Sequence, residues 1–131
     1  MSGWVPALGL TLLIPSGPAG SHTFAIIVGP KVVPAYGNGG QFLLVPICSA
    51  RSDGKHDPAC LLSPGDHPVA QHDSYFDYSF ARVDPSHTLT ALVAQGLFIP
   101  RAGLSPGLLS RAQAGLLASS RVRRHILRDF G

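Results

Sequence analysis

Apolar residues fall in short runs, each closed by a cluster of Pro, Gly or polar residues. "LGLTLLI" (8–14) reads as a strand ended by "PSGPAGS" (15–21), and "HTFAIIVG" (22–29) as a second, with β-branched and apolar residues at its centre. "PKVVPAYGNGG" (30–40) interrupts with two prolines and a glycine-rich turn. "QFLLVPICS" (41–49) is apolar almost throughout, as a central strand requires. After the polar loop "ARSDGKHDPA" (50–59), "CLLS" (60–63) is short and extended. Four strands at such close spacing predict a small barrel or a curled sheet.

Residues 74–83, "SYFDYSFARV", alternate in part. Tyr75, Asp77, Ser79 and Ala81 are expected on one side of a strand, with Phe76, Tyr78, Phe80 and Arg82 on the other. "SHTLTALVAQ" (86–95) fits a strand or a short helix capped by Ser86 and stopped by Gly96. The pattern then changes period. Ser105 before Pro106 forms a helix start, and Leu108, Leu109, Ala112, Leu116 and Leu117 recur as one apolar stripe. The expected organisation is a single domain over 1–131: strands over about 8–83, a helix over about 105–120 and a basic tail over 121–131. In that tail Arg121, Arg123, Arg124 and Arg128 are interleaved with Val122, Ile126, Leu127 and Phe130. They form either a solvated helix end, which suits the helix dipole, or a basic fringe facing a polyanionic partner.

Composition narrows the class. With 131 residues, 45% hydrophobic and 13% charged, the chain supports a packed core and is not a disordered segment. All seven acidic residues are Asp, and the net charge of +3 permits a polyanionic partner without requiring one. Two cysteines, Cys48 and Cys60, are too few for a disulfide framework and are expected as free thiols. The N-terminal apolar run lacks a positive start, and Pro6 and Pro15 hold it to roughly eight residues, too short to span a bilayer. A buried first strand and a cytoplasmic location are expected, with no membrane association.

Several chemistries lack their motifs. "GNGG" has neither the Lys nor the Ser/Thr of a phosphate-binding loop, and no nucleophile elbow or zinc-type Cys-x-x-Cys occurs. Polar residues do concentrate in "CLLSPGDHPVAQHDSYFDYSF" (60–80). Cys48, His56, Asp57, Cys60, Asp66, His67 and His72 are all possible metal ligands, but their spacings match no common coordination geometry. Asp57 before Pro58 and Asp66 after Gly65 are also ordinary turn formers. No metal and no cofactor are expected.

The element order "LTLLIPSGP…SHTFAIIVGP…QFLLVPICSA…CLLSPGDHP…HDSYFDY…AGLSPGLLSRAQAGLLAS", from Gly9 to Ser119, resembles the MazF/PemK-like toxins of type II toxin–antitoxin systems. The resemblance implies a mainly β chain with a C-terminal helix, folded as the small SH3-like curled barrel of the MazF/PemK/CcdB-like toxins. It also implies a homodimer that cleaves single-stranded RNA without a metal and is held in check by a cognate antitoxin protein. In the family a strand opening Arg-Pro supplies a catalytic arginine, and His22 occupies the matching place here. A hydroxyl residue near the scissile phosphate is matched by Ser49, beside Cys48, and an exposed serine ahead of the next strand by Ser74. The histidine marks either a divergent nuclease or an inactive relative.

Metal-free RNA cleavage needs a base for the 2′-OH, an acid for the departing 5′-oxygen and donors to the phosphorane. Histidine suits both proton roles, because its unperturbed pKa of roughly 6.5 lies near working pH. His22, Ser49 and His67 are therefore the candidate catalytic residues. Arg51, His72, Ser74, Tyr75 and Tyr78 are the candidate substrate-binding residues, the tyrosines as stacking faces for unpaired bases. Each also has a plain reading: a solvated histidine at a strand end, a serine satisfying a backbone amide, aromatic rings packed on the sheet. The rival functions are an inactive barrel module that binds a peptide or RNA, and a zinc-dependent hydrolase.

Overall fold

The computed structural model describes residues 3–18 and 20–131; Met1, Ser2 and Ala19 lie outside the described residues. Seven strands form one antiparallel sheet: β1 (Thr11–Pro15), β2 (Ser21–Lys31), β3 (Gln41–Ser49), β4 (Leu61–Leu62), β5 (Ser74–Phe76), β6 (Arg82–Pro85) and β7 (Ile99–Arg101). Their order is β4-β5-β3-β2-β1-β7, with β6 also paired to β3. Among the described residues no ladder joins β4 to β7, so the sheet is open. Both end strands are protected. The Arg111 guanidinium donates to Leu61 O beside β4, and Pro100, opposite Leu12, removes a donor from β7.

Three helices complete the fold: α1 (Ser86–Ala94), α2 (Pro106–Ala118) and α3 (Arg124–Phe130). Period-2 alternation sends the side chains of β2 and β3 to two faces, and each face has its own core. On one, Ala25, Ile27, Leu43, Val45 and Ile47 pack under Leu108, Ala112 and Leu116 of α2 and Ile126 and Phe130 of α3. On the other, Leu12, Ile14, Phe24, Ile26, Phe42 and Leu44 pack under Leu89 and Val93 of α1 and Phe98. Burial on both sides explains why these strands are apolar without alternation. Arg82 closes the second core, its guanidinium 5.9 Å from the Phe24 ring and 5.4 Å from the Phe98 ring, while its nitrogens pair with Asp84 at 2.7 Å.

β2 carries two bulges, since Ile26 pairs with Leu44 but Val28 pairs with Leu43, and Lys31 with Gln41. Gly29 sits in the second at φ 122°, where a Cβ would lie 2.6 Å from Gln41 O.

Several expectations are corrected by this arrangement. Residues 74–83 are not one strand. Asp77 Oδ1 accepts from Ser79 N at 3.2 Å and from Ser79 Oγ at 2.5 Å, and the chain turns through a 3₁₀ segment at Tyr78–Phe80. The extra turn breaks the alternation, so Phe76, Tyr78 and Ala81 share one core while Phe80 is exposed. Residues 86–95 are a helix, entered from Pro85 rather than capped by Ser86, and ending at Gly96 with φ 75°. In α2, Ser105 Oγ accepts from Leu108 N at 3.2 Å, as a cap does. Leu117 is 66% exposed instead of buried; Gly115 takes the inward place. The 121–131 tail contains α3, whose Ile126 and Phe130 join the first core.

Candidate nucleic-acid cleft

The start of β2, the end of β3 and β5 border an open cleft of about 900 Å³ that no residue of α1 lines. Its polar lining residues include His22, Ser49, Arg51 and Tyr75, and its apolar ones Leu13, Val69 and Phe80. Ser16, Cys48, Ser74 and Asp77 also line it.

The strand register assembles these residues. Ile14 faces His22 across β1 and β2, while Cys48 faces Tyr75 and Ser49 faces Ser74 across β3 and β5. His22 Nδ1 lies 2.5 Å from Ser16 Oγ. Tyr75 is backed by the His56 ring, with centroids 4.9 Å apart, and His56 Nδ1 accepts from Arg51 N at 3.2 Å. Ser74 Oγ donates to His72 O at 2.9 Å, which fixes the entry to β5.

Arg51 is the cationic side chain of the lining. It makes a two-pronged pair with Asp53, Nε to Oδ1 at 3.0 Å and Nη2 to Oδ2 at 2.7 Å. That pair holds the Asp53 carboxyl down at about 2, through the hydrogen bond first and then the Lys55 amide. Both partners are open to solvent, with side chains 57% and 41% exposed, and such surface pairs contribute little. A phosphate competing for the guanidinium therefore meets a low cost. Burial pushes the Cys48 thiol up to about 11, helped by the Asp77 carboxylate. Burial likewise raises the Tyr75 phenol, with Cys48 and Asp77 adding to it. At neutral pH both groups keep their protons, so Cys48 is a donor here and not a thiolate nucleophile.

The cleft gathers His22, Ser49, Arg51, Ser74 and Tyr75, five of the eight residues singled out from the sequence. The other three lie elsewhere. His67 is 3% exposed; its Nε2 donates to Ala102 O at 2.6 Å and its Nδ1 accepts from Val69 N at 3.1 Å. With both ring nitrogens engaged, it ties the 63–73 loop to the segment after β7. Tyr78 is fully buried and its hydroxyl donates to Ala112 O at 2.7 Å, so its ring has no face for a base. His72 is exposed on the surface loop before β5 and is not a lining residue.

The residues considered as metal ligands are used locally. Asp57 accepts from Ala59 N at 3.0 Å and from Ser119 Oγ at 2.5 Å, and Asp66 Oδ2 accepts from Ser63 N at 2.8 Å. Cys48 faces the cleft while Cys60 lies in the core beneath α2, and both are free thiols. Among the described residues no three His, Cys, Asp or Glu side chains come together as a metal site. No described helix is long and apolar enough to cross a membrane.

Sequence reasoning missed Phe80, Ser16 and Asp77. Phe80 was hidden because strict alternation puts it beside Tyr78. The Asp77-Tyr78-Ser79 stretch is itself an Asx-turn signal, and it marks the break that turns Phe80 outward. No protein-family model matches the chain, and no curated protein matches it.

Proposed function

We propose that this chain is a divergent MazF/PemK-like toxin, a metal-independent endoribonuclease that cleaves single-stranded RNA in the β2–β3–β5 cleft. In this reading the open sheet is the curled, SH3-like barrel of that class. The protein acts in the cytoplasm as a homodimer, with a cognate antitoxin protein as its inhibitor. One observation carries the reading: residues as distant in sequence as His22, Ser49 and Tyr75 line one open cleft beside an exposed Phe80.

The chemistry follows from the polar and apolar lining residues. An unpaired base stacks on Phe80, which takes the role expected of Tyr78. The phosphate draws Arg51 away from Asp53, and the Ser49 hydroxyl donates to a phosphoryl oxygen. His22 takes the proton from the 2′-OH as that oxygen attacks phosphorus, and the 5′-oxygen departs. With His67 remote, the cleft groups that remain protonated, the Cys48 thiol and the Tyr75 phenol, are the donors to the leaving oxygen.

A second reading is favoured by one observation: the cleft is lined by a single imidazole, and its arginine is already paired with Asp53. That arrangement suits a module that binds RNA or a peptide without cutting it. Controlled expression in cells separates the two. The nuclease reading expects growth arrest by the wild type, relief by His22→Ala, and rescue by the product of the neighbouring gene. Normal growth at full expression contradicts it.

A further inference from the structure

We propose that Ser16 is the positioning residue of the cleft imidazole, holding His22 by Nδ1 in both of its protonation states and presenting Nε2 to the ligand. The proposal deepens the reading of His22 as a proton acceptor and rests on it for its catalytic consequence, though the pairing itself is testable without RNA.

Ser16 Oγ lies 2.5 Å from His22 Nδ1, and both residues line the cleft. The fold builds this contact. Pairing of Ile14 with His22 and of Pro15 with Ser21 brings the two strands together at the turn. Ser16 N donates to Gly20 O at 3.0 Å, which fixes the serine at the turn's first position. The imidazole is thus tethered at Nδ1, and Nε2 is the nitrogen left to meet a ligand.

The type of partner matters. A backbone carbonyl accepts only from Nδ1–H, and a backbone amide only donates to Nδ1, so each fixes one tautomer. A hydroxyl does both. It donates to Nδ1 when Nε2 carries the proton, and accepts from Nδ1–H when Nε2 has its lone pair. When Nε2 takes the substrate proton, the ring becomes an imidazolium whose Nδ1–H still donates to Ser16 Oγ. The proton then leaves Nε2 for solvent and the pair is unchanged. His22 therefore cycles without losing its orientation.

The titratable groups lining the same cleft are Cys48 of β3, Arg51 of the following loop, Tyr75 of β5 and Asp77 just beyond it. None is altered by removing a neutral hydroxyl from the β1–β2 turn. A change in His22 behaviour on that substitution accordingly reports the Ser16 hydrogen bond and not a change of charge.

The test compares wild type, Ser16→Ala and Ser16→Thr, with His22→Ala to assign the signals. The His22 ring nitrogens are followed by NMR from pH 5 to 8, and RNA cleavage is assayed in EDTA. In Ser16→Ala, the His22 Nδ1 nitrogen shift changes across the pH range and the ring gains mobility, as expected when its tether is removed. The kcat falls about tenfold with KM nearly constant, and Ser16→Thr restores both readouts. An unchanged Nδ1 shift and ring mobility in Ser16→Ala overturn the proposal. If the Nδ1 shift moves and Thr restores it while even the wild type fails to cleave, the positioning stands and the nuclease reading falls.

Discussion

Tyr78 and Phe80 sit two residues apart on one 3₁₀ turn, yet they belong to different regions of the molecule. Tyr78 is 0% exposed beneath α2, its hydroxyl bonded to Ala112 O; Phe80 is 67% exposed and lines the cleft. β3 shows the same division along its length. Leu43, Val45 and Ile47 lie under α2 and α3, and Phe42 and Leu44 under α1, but Pro46 and Cys48 open onto the cleft. Apolar content does not distinguish these regions; the reach of α1 does. The cleft is where the second layer of the fold stops, and the side chains left there are available for a ligand.

The sharpest way to break this comparison is at Gly115. A Cβ there would land on the Tyr78 hydroxyl and lie 2.9 Å from Cys60 Cβ. Gly115→Ala is expected to destabilise the fold by about 3 kcal/mol in urea titration, combining overpacking with loss of the Tyr78 hydrogen bond. RNA affinity of the molecules that remain folded stays the same. Unchanged stability contradicts the packing described for the covered side.

Phe80→Ala is its counterpart on the open side. Stability changes by less than about 0.5 kcal/mol, while affinity for a short single-stranded RNA weakens by about 1–3 kcal/mol. Phe80→Trp keeps the affinity. A variant that loses several kcal/mol of stability while its folded molecules keep full RNA affinity would erase the distinction between the two rings.

The smallest effect concerns Cys48, at the boundary. Its thiol is raised from 9.0 to about 11 by burial, and then by Asp77. The unfolded chain therefore releases this proton at lower pH than the folded one. Stability from this source is complete below pH 9 and is lost as pH rises toward 11. Because the thiol is only part-buried, solvent screening holds the loss to roughly 1 kcal/mol. Wild type should lose more stability than Cys48→Ser between pH 8 and 11; Cys60, raised by burial in both, cancels. Parallel curves would place Cys48 outside the cleft's low-dielectric floor.

The sequence made the framework legible where local signals agree with tertiary burial. β3 spans Gln41–Ser49, the apolar run itself, and α2 starts at the Ser105-Pro106 cap. Signals failed where a contact distant in the chain decides. β7 is three exposed residues, Ile99, Pro100 and Arg101, held by pairing with β1, and no local pattern marks them. His67 looked catalytic as a histidine in a polar loop, and only Ala102, far along the chain, shows it to be a loop tie. The candidate cleft was legible in residue type to the extent that His22, Ser49, Arg51, Ser74 and Tyr75 share one lining. The place of Phe80 in it was not, because its exposure depends on a turn that alternation conceals.

The central claim is that His22 performs proton transfer on RNA in this cleft. The direct measurement is cleavage of a long unstructured RNA by purified protein in EDTA, comparing wild type with His22→Ala. The account predicts cleavage by the wild type and a loss of about 10²–10⁴-fold in the variant, the usual contribution of a positioned acid or base. RNA left intact by the wild type, or cut equally by both proteins, would contradict it.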